Sequence, residues 1–205
     1  MSLAASVKRG YTVGARRIAT RSMLGLARTR VTPNALTAAG VALCTAAAVV
    51  VFFENRNEIL FYWLGAVLFV VGSILDILDG ALARTSGKGT PFGAFLDSTT
   101  DRVSEGVMLG AIALVFSRHG REVALALAFA AVAGSFLVSY TRARAEALGL
   151  RGDVGIGSRA ERVVVITAGL VFAPWGVLPY AIGLLALTAW FTVGQRVLAV
   201  RSQLR

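Results

Sequence analysis

"DILDGALARTSGKGTPFGAFLDSTTD", residues 76–101, sets four aspartates into an otherwise apolar chain. Asp76 and Asp79 are three residues apart and Asp97 and Asp101 four apart, so on helices each pair shares one face. Between the pairs, "TSGKGTPFGA" (85–94) holds three glycines and a proline, residues that end helices. The spacing therefore predicts two helices joined by a turn, with their acidic ends brought together. Gly80 lies one turn beyond Asp76 and Gly93 one turn before Asp97. Each acid pair is thus flanked by a position where something bulky can approach the backbone.

The segments on either side of this stretch are greasy. The chain is 56% hydrophobic and 16% charged, with a mean hydropathy of +0.71, whereas a soluble domain carries about a quarter charged residues. Six segments approach the ~20 apolar residues that cross a bilayer: 33–53, 59–79, 95–117, 123–141, 162–178 and 180–198. Thr32-Pro33 is an N-cap followed by a first-turn proline. Pro174, Trp175, Gly176 and Pro179 mark a turn between the last two segments. Cys44 has no partner for a disulfide and is expected to pack as a small core residue.

Residues 1–31 differ. Lys8, Arg9, Arg16, Arg17, Arg21, Arg28 and Arg30 alternate with Leu3, Val7, Tyr11 and Ile18. They lack the compact apolar core of a secretory signal and read as an amphipathic helix lying on anionic lipid. The expected fold is an all-α integral membrane protein: a basic juxtamembrane segment (1–31), then a six-helix domain (32–205).

The formal charge of +10 raises the possibility of a nucleic-acid partner, and its distribution removes that need. With six spans and both termini inside, 18 of the 21 Lys and Arg fall on the inner side. The outer loops hold Arg56, Arg118 and Arg121, offset by Glu54, Glu58 and Glu122. This asymmetry places the aspartate stretch on the cytoplasmic face of the cell membrane.

Four carboxylates converging at a membrane edge repel one another unless a cation neutralises them. Oxygen-only ligands favour a hard ion, Mg²⁺, Mn²⁺ or Ca²⁺. Four acids have capacity for two ions, and a two-metal site suits displacement at phosphorus. Arg84 and Lys88 in the turn add positive charge for phosphate.

The stretch reads D-x2-D-G-x2-A-R-x8-G-x3-D-x3-D, filled by Asp76, Asp79, Gly80, Ala83, Arg84, Gly93, Asp97 and Asp101. In this it resembles the signature of the CDP-alcohol phosphotransferases, membrane enzymes of phospholipid synthesis. The resemblance implies transfer of a phosphatidyl-type group from CDP-diacylglycerol to an alcohol, with release of CMP. It implies Asp76, Asp79, Asp97 and Asp101 as ligands of two divalent ions, Mg²⁺ or Mn²⁺, and Asp101 as general base. Gly80, Ala83, Arg84 and Thr90 look like donor-binding residues, and Asn34, Ala35, Leu36 and Thr37 resemble a second nucleotide-contacting stretch. Asn34 stands where relatives often carry aspartate. The family also suggests a homodimer.

The acceptor must be chosen elsewhere, and "SYTRARAEALGLRGDVGIGSRAERVVV" (139–165) brings arginines to the inner ends of two spans. Arginines at the mouth of a span are costly unless they face a cavity or an anion. The stretch resembles the part of bacterial phosphatidylinositol phosphate synthases that receives inositol phosphate. On that match Arg142, Arg144 and Arg162 hold the acceptor's phosphate, joined by Arg196 and Arg159. Glycerol 3-phosphate, giving phosphatidylglycerophosphate, is the alternative acceptor and carries similar charge. A divalent-cation carrier is the alternative of another class, but "LFYWLGAVLFVV" (60–71) and "MLGAIALVF" (108–116) offer no polar path. Glu105, one turn beyond Asp101, either supports the acids or pairs with Arg102 or a neighbouring arginine. His119 is expected in solvent, and Glu146 and Glu161 are expected to pair with loop arginines.

Overall fold

The computed structural model describes residues 32–87, 89–156 and 158–204. The basic segment 1–31 and Lys88 lie outside them. Six α-helices make up the described chain: α1 (Pro33–Phe52), α2 (Glu58–Ser86), α3 (Pro91–Arg118), α4 (Glu122–Ala147), α5 (Arg159–Val171) and α6 (Leu178–Gln203). Short 3₁₀ turns occupy Glu54–Arg56 and Ala173–Trp175.

Local chemistry explains the boundaries. The Thr32 side chain accepts from the Ala35 amide at 3.2 Å, with Pro33 opening α1. Asn57 caps α2 through the Leu60 amide at 3.1 Å, and Gly87 ends it at φ 65, a left-handed conformation that suits glycine. Thr90 caps α3 through the Gly93 amide at 2.9 Å. Ser158 and Glu161 form a reciprocal capping box on α5; Glu161, expected to pair with a loop arginine, is used here instead. Helix α5 stops at Val171 rather than reaching residue 178: Pro174 has no amide hydrogen to continue the ladder, and the chain passes through Phe172 into the 3₁₀ turn Ala173–Trp175.

Four helices, α1, α2, α4 and α6, are long and apolar enough to cross a membrane. Helix α3 has the length, but Asp97, Asp101, Arg102 and Glu105 lie along it up to its middle. Helix α5 has 13 residues, about 20 Å at 1.5 Å per residue, short of the ~30 Å hydrocarbon core.

The principal contacts close the helices into a ring in the order α1, α3, α4, α6, α5, α2. Its interior is filled by Phe69, Met108, Leu109, Ile112, Phe116, Ile166, Leu170, Ile182 and Leu185. Outward, Leu60, Trp63, Val67, Val71, Ile74 and Ile77 form an exposed apolar stripe on α2 at three- and four-residue spacing. Helices α1 and α2 approach closely where a Cβ on Gly40 would lie 2.9 Å from the Gly72 carbonyl oxygen. Cys44 packs in that seam at 1% exposure. At the end remote from the aspartates, Glu54 is buried and bonds both Arg118 and His119 at 2.8 Å. His119 is therefore tied to Glu54 rather than simply solvated.

Candidate active site

Asp76 and Asp79 lie among the buried residues of α2, on the face opposite its apolar stripe. The helix runs on to Ser86, so both acids sit inside it, held by intact backbone hydrogen bonds. Asp97 and Asp101 follow the Thr90 cap on α3 and are half-buried. Carboxylate oxygens of Asp76, Asp97 and Asp101 come within 4.8 Å of one another. Three acids from two helices thus make one cluster, and the donor set is oxygen alone, as a hard divalent cation requires.

Asp79 is placed differently. Its Oδ2 accepts a hydrogen bond from the Thr37 hydroxyl of α1, and its Oδ1 is buried with no hydrogen-bond partner among the described residues. The fourth acid of the motif therefore stands beside the cluster, braced by α1, with one unsatisfied oxygen. Such an orphaned acceptor is costly by itself and fits a place prepared for a cation.

Arg159, expected among the acceptor residues, reaches into the cluster. Its Nη1 pairs with Asp76 and lies 2.7 Å from Asp101 Oδ1. The remaining arginines separate into distinct environments. Arg142 is exposed, with Nε 2.8 Å from Glu146 Oε1, and Arg144 is exposed as well. Arg162 is buried and bonds Glu105 through Nε at 2.6 Å and Nη2 at 3.0 Å. Arg196 is buried and donates to the carbonyl oxygens of Val138 and, at 2.9 Å, Val154, pinning the loop after α4 to α6.

A cavity of about 290 Å³ opens next to the acids, with Asp79 and Asp97 in its wall. Of the residues expected at the donor, Asn34, Thr37, Gly80, Ala83, Arg84 and Thr90 line it. Ala35 and Leu36 do not, because on a helix Asn34 and Thr37 share a face and the two residues between them point elsewhere. A Cβ on Gly93 would lie 3.1 Å from Thr90 Oγ1 and 3.4 Å from Asn34 Oδ1, so glycine keeps this wall open. The cavity can hold a phosphate-bearing group between Arg84 and the carboxylates. The Thr37 hydroxyl on Asp79 and the reach of Arg159 into the acids went unread in the sequence; for Glu105, pairing with an arginine was one of the readings left open, and the partner is Arg162. For Glu105 a signal existed, since it continues the four-residue spacing of Asp97 and Asp101.

The chain is similar to known proteins over most of its length. The family model for CDP-alcohol phosphatidyltransferase matches residues 30–199. The phosphatidylinositol phosphate synthase of Mycobacterium marinum is 41% identical over 184 residues, 86% of this chain and 76% of that one. The archaetidylinositol phosphate synthase of Pyrococcus horikoshii is 37% identical over 180 residues, 87% of this chain and 88% of that one. The crystal structure of Mycobacterium tuberculosis phosphatidylinositol phosphate synthase with CDP-DAG bound matches with a TM-score of 0.79 at 34% identity, covering 90% of this chain and 94% of that one. The same enzyme in complex with manganese and citrate matches at 0.77 and 34%, covering 89% and 88%.

Proposed function

The chain belongs to the CDP-alcohol phosphatidyltransferase family, and from that premise we propose that it transfers the phosphatidyl group of CDP-diacylglycerol to inositol phosphate, giving phosphatidylinositol phosphate and CMP. The observation that carries this reading is the juxtaposition of a cavity of about 290 Å³, a carboxylate cluster and the arginines of α5. Relatives named for inositol phosphate products cover most of this chain.

The chemistry follows from the residues. Asp76, Asp79, Asp97 and Asp101 hold two divalent ions, Mg²⁺ or Mn²⁺. When bound, these neutralise the donor's pyrophosphate and the departing CMP. Gly80 leaves room for the nucleotide and Arg84 pairs with its phosphate. The acceptor's hydroxyl oxygen forms a bond to the phosphatidyl phosphorus, the bond from that phosphorus to the CMP oxygen breaks, and Asp101 takes the hydroxyl proton. Arg142, Arg144 and Arg162 receive the acceptor's own phosphate, with Arg159 and Arg196 completing the positive field. Arg196 is the most constrained of these, since it already serves two backbone carbonyls.

The same reading sets the protein in the cytoplasmic membrane as a homodimer. All six helices of residues 32–205 traverse the bilayer or its interface, and both termini and the site face the cytosol. The lipid donor enters sideways and the polar acceptor arrives from the cytosol.

The test is CMP release by purified protein supplied with CDP-diacylglycerol, Mg²⁺ and, separately, inositol phosphate, glycerol 3-phosphate and serine. Release is expected with inositol phosphate. Release with glycerol 3-phosphate alone would keep the mechanism and replace the acceptor. No release with any alcohol would remove the reading.

A further inference from the structure

Glu105 lies on α3 one turn beyond Asp101 and two beyond Asp97, at 7% exposure. A carboxylate at that depth is costly unless paired. Its partner is Arg162 of α5, engaged through Nε at 2.6 Å and Nη2 at 3.0 Å. Two bonds on one edge of a guanidinium fix both its plane and its direction.

As a packing device alone, this pair would be a poor choice, because well-packed apolar side chains usually serve as well as a buried ion pair. Nor do α3 and α5 form a broad interface for it to reinforce: α5 packs chiefly on α2 and α6. The fork reaches across the ring instead. Glu105 also lines a narrow cleft with Ser73, Asp101, Ser104 and Arg159, so it is contiguous with the reacting carboxylate.

We propose that Glu105 is a positioning residue for the acceptor, aiming the Arg162 guanidinium at the phosphate of the incoming alcohol and holding it at a set distance from Asp101. This rests on the reading of Arg162 as an acceptor-phosphate residue. Because Asp101 and Glu105 ride on the same helix one turn apart, the base and the phosphate anchor keep a common frame. An alcohol whose hydroxyl and phosphate match that spacing is seated for attack; one that does not is bound out of line.

The experiment measures KM for inositol phosphate and for CDP-diacylglycerol separately, at saturating Mg²⁺, in Glu105→Gln, Glu105→Asp, Arg162→Ala and the Glu105→Gln/Arg162→Ala double variant. Glu105→Gln is expected to raise the acceptor KM about tenfold, the scale of one hydrogen bond to a charged group. The donor KM should stay within about twofold. Glu105→Asp should recover part of the loss, and Glu105→Gln should add little in the Arg162→Ala background. If Arg162→Ala raises the acceptor KM and Glu105→Gln leaves it unchanged, or raises both KM values together, Glu105 is a structural brace and the proposal falls alone. If Arg162→Ala leaves the acceptor KM unchanged, the pocket reading falls and takes the proposal with it. Should Glu105→Gln not fold, the Asp variant decides: a rise confined to the acceptor supports the proposal, and an equal rise for both substrates overturns it.

Discussion

Arg159 Nη1 on α5 lies 2.7 Å from Asp101 Oδ1 on α3 and also pairs with Asp76 on α2. One guanidinium therefore bridges two of the carboxylates that come within 4.8 Å of each other. Without a positive charge among them, these acids would repel. Arg159 supplies one charge, held by a helix that also carries Arg162. The cluster thus has a protein-borne counter-ion on the oxygens proposed to hold a divalent cation.

Replacing Arg159 with alanine tests whether the two compete. Breaking a buried pair from one side costs about 3–5 kcal/mol, and the 26% exposure of the Arg159 side chain reduces the expected loss to about 1–3 kcal/mol. Thermal unfolding in detergent with EDTA should show Arg159→Ala melting lower than wild type. Added Mn²⁺ should then raise the variant's Tm by more than it raises the wild type's, and calorimetry should show tighter Mn²⁺ binding. Equal Mn²⁺ stabilisation of both proteins would mean that Arg159 does not contest the site.

Asp101→Asn keeps the shape of the side chain and removes its capacity to take a proton. Turnover should fall by about 10²–10⁴-fold, the usual contribution of a positioned base. CDP-diacylglycerol binding at saturating Mn²⁺, followed by protection from thermal unfolding, should fall far less than turnover, because Asp101 does not line the cavity proposed for the donor and three carboxylates remain for the ions. Near-normal turnover would assign the proton to another group.

Gly72→Ala probes the α1–α2 seam beside the cavity proposed for the donor. The new Cβ would lie 2.7 Å from Cys44 Sγ and 2.8 Å from the Gly40 carbonyl oxygen, so α1 and α2 must part. Overpacking of this kind costs about 1–3 kcal/mol. Because the same seam holds Thr37 against Asp79, the donor KM should rise along with the loss of Tm. Gly110→Ala is the control: nothing lies within 4 Å of its added Cβ, and stability should be unchanged or improved by about 0.5–1 kcal/mol. A Gly72→Ala protein as stable as wild type would show that the helices have slack there.

Much of the site was legible in residues 76–101 because helical spacing is a local property. Asp76 with Asp79, and Asp97 with Asp101, share faces by arithmetic, and Gly87 and Pro91 mark where the chain must turn. Which face of α2 looks outward was not legible, because residues 60–75 are apolar on every side and only the packing leaves Leu60 to Ile77 exposed. What spacing cannot show is which oxygen meets which. Asp79 looked equivalent to the other three acids, yet its bond to Thr37 joins residues 42 apart in sequence.

The arginines illustrate the same limit more sharply. Arg142, Arg144, Arg159, Arg162 and Arg196 were alike as inner-face cations with an anion to bind. In the folded chain Arg159 enters the acid cluster, Arg162 locks to Glu105, Arg196 serves two carbonyls, and Arg142 and Arg144 are exposed.

By itself the amino-acid sequence determined where most of the helices lie and that an acidic hairpin joins two of them, because each depends on residues within a few turns of one another, and the hairpin's motif carried the resemblance that implied the class of reaction. The tertiary structure alone decided how the acids divide, which arginine neutralises them and which carboxylate orients Arg162. Those outcomes depend on the closed ring that sets α1 and α5 against the α2–α3 hairpin, and a long, flexible charged side chain takes its partner from whatever that packing brings within about 3 Å.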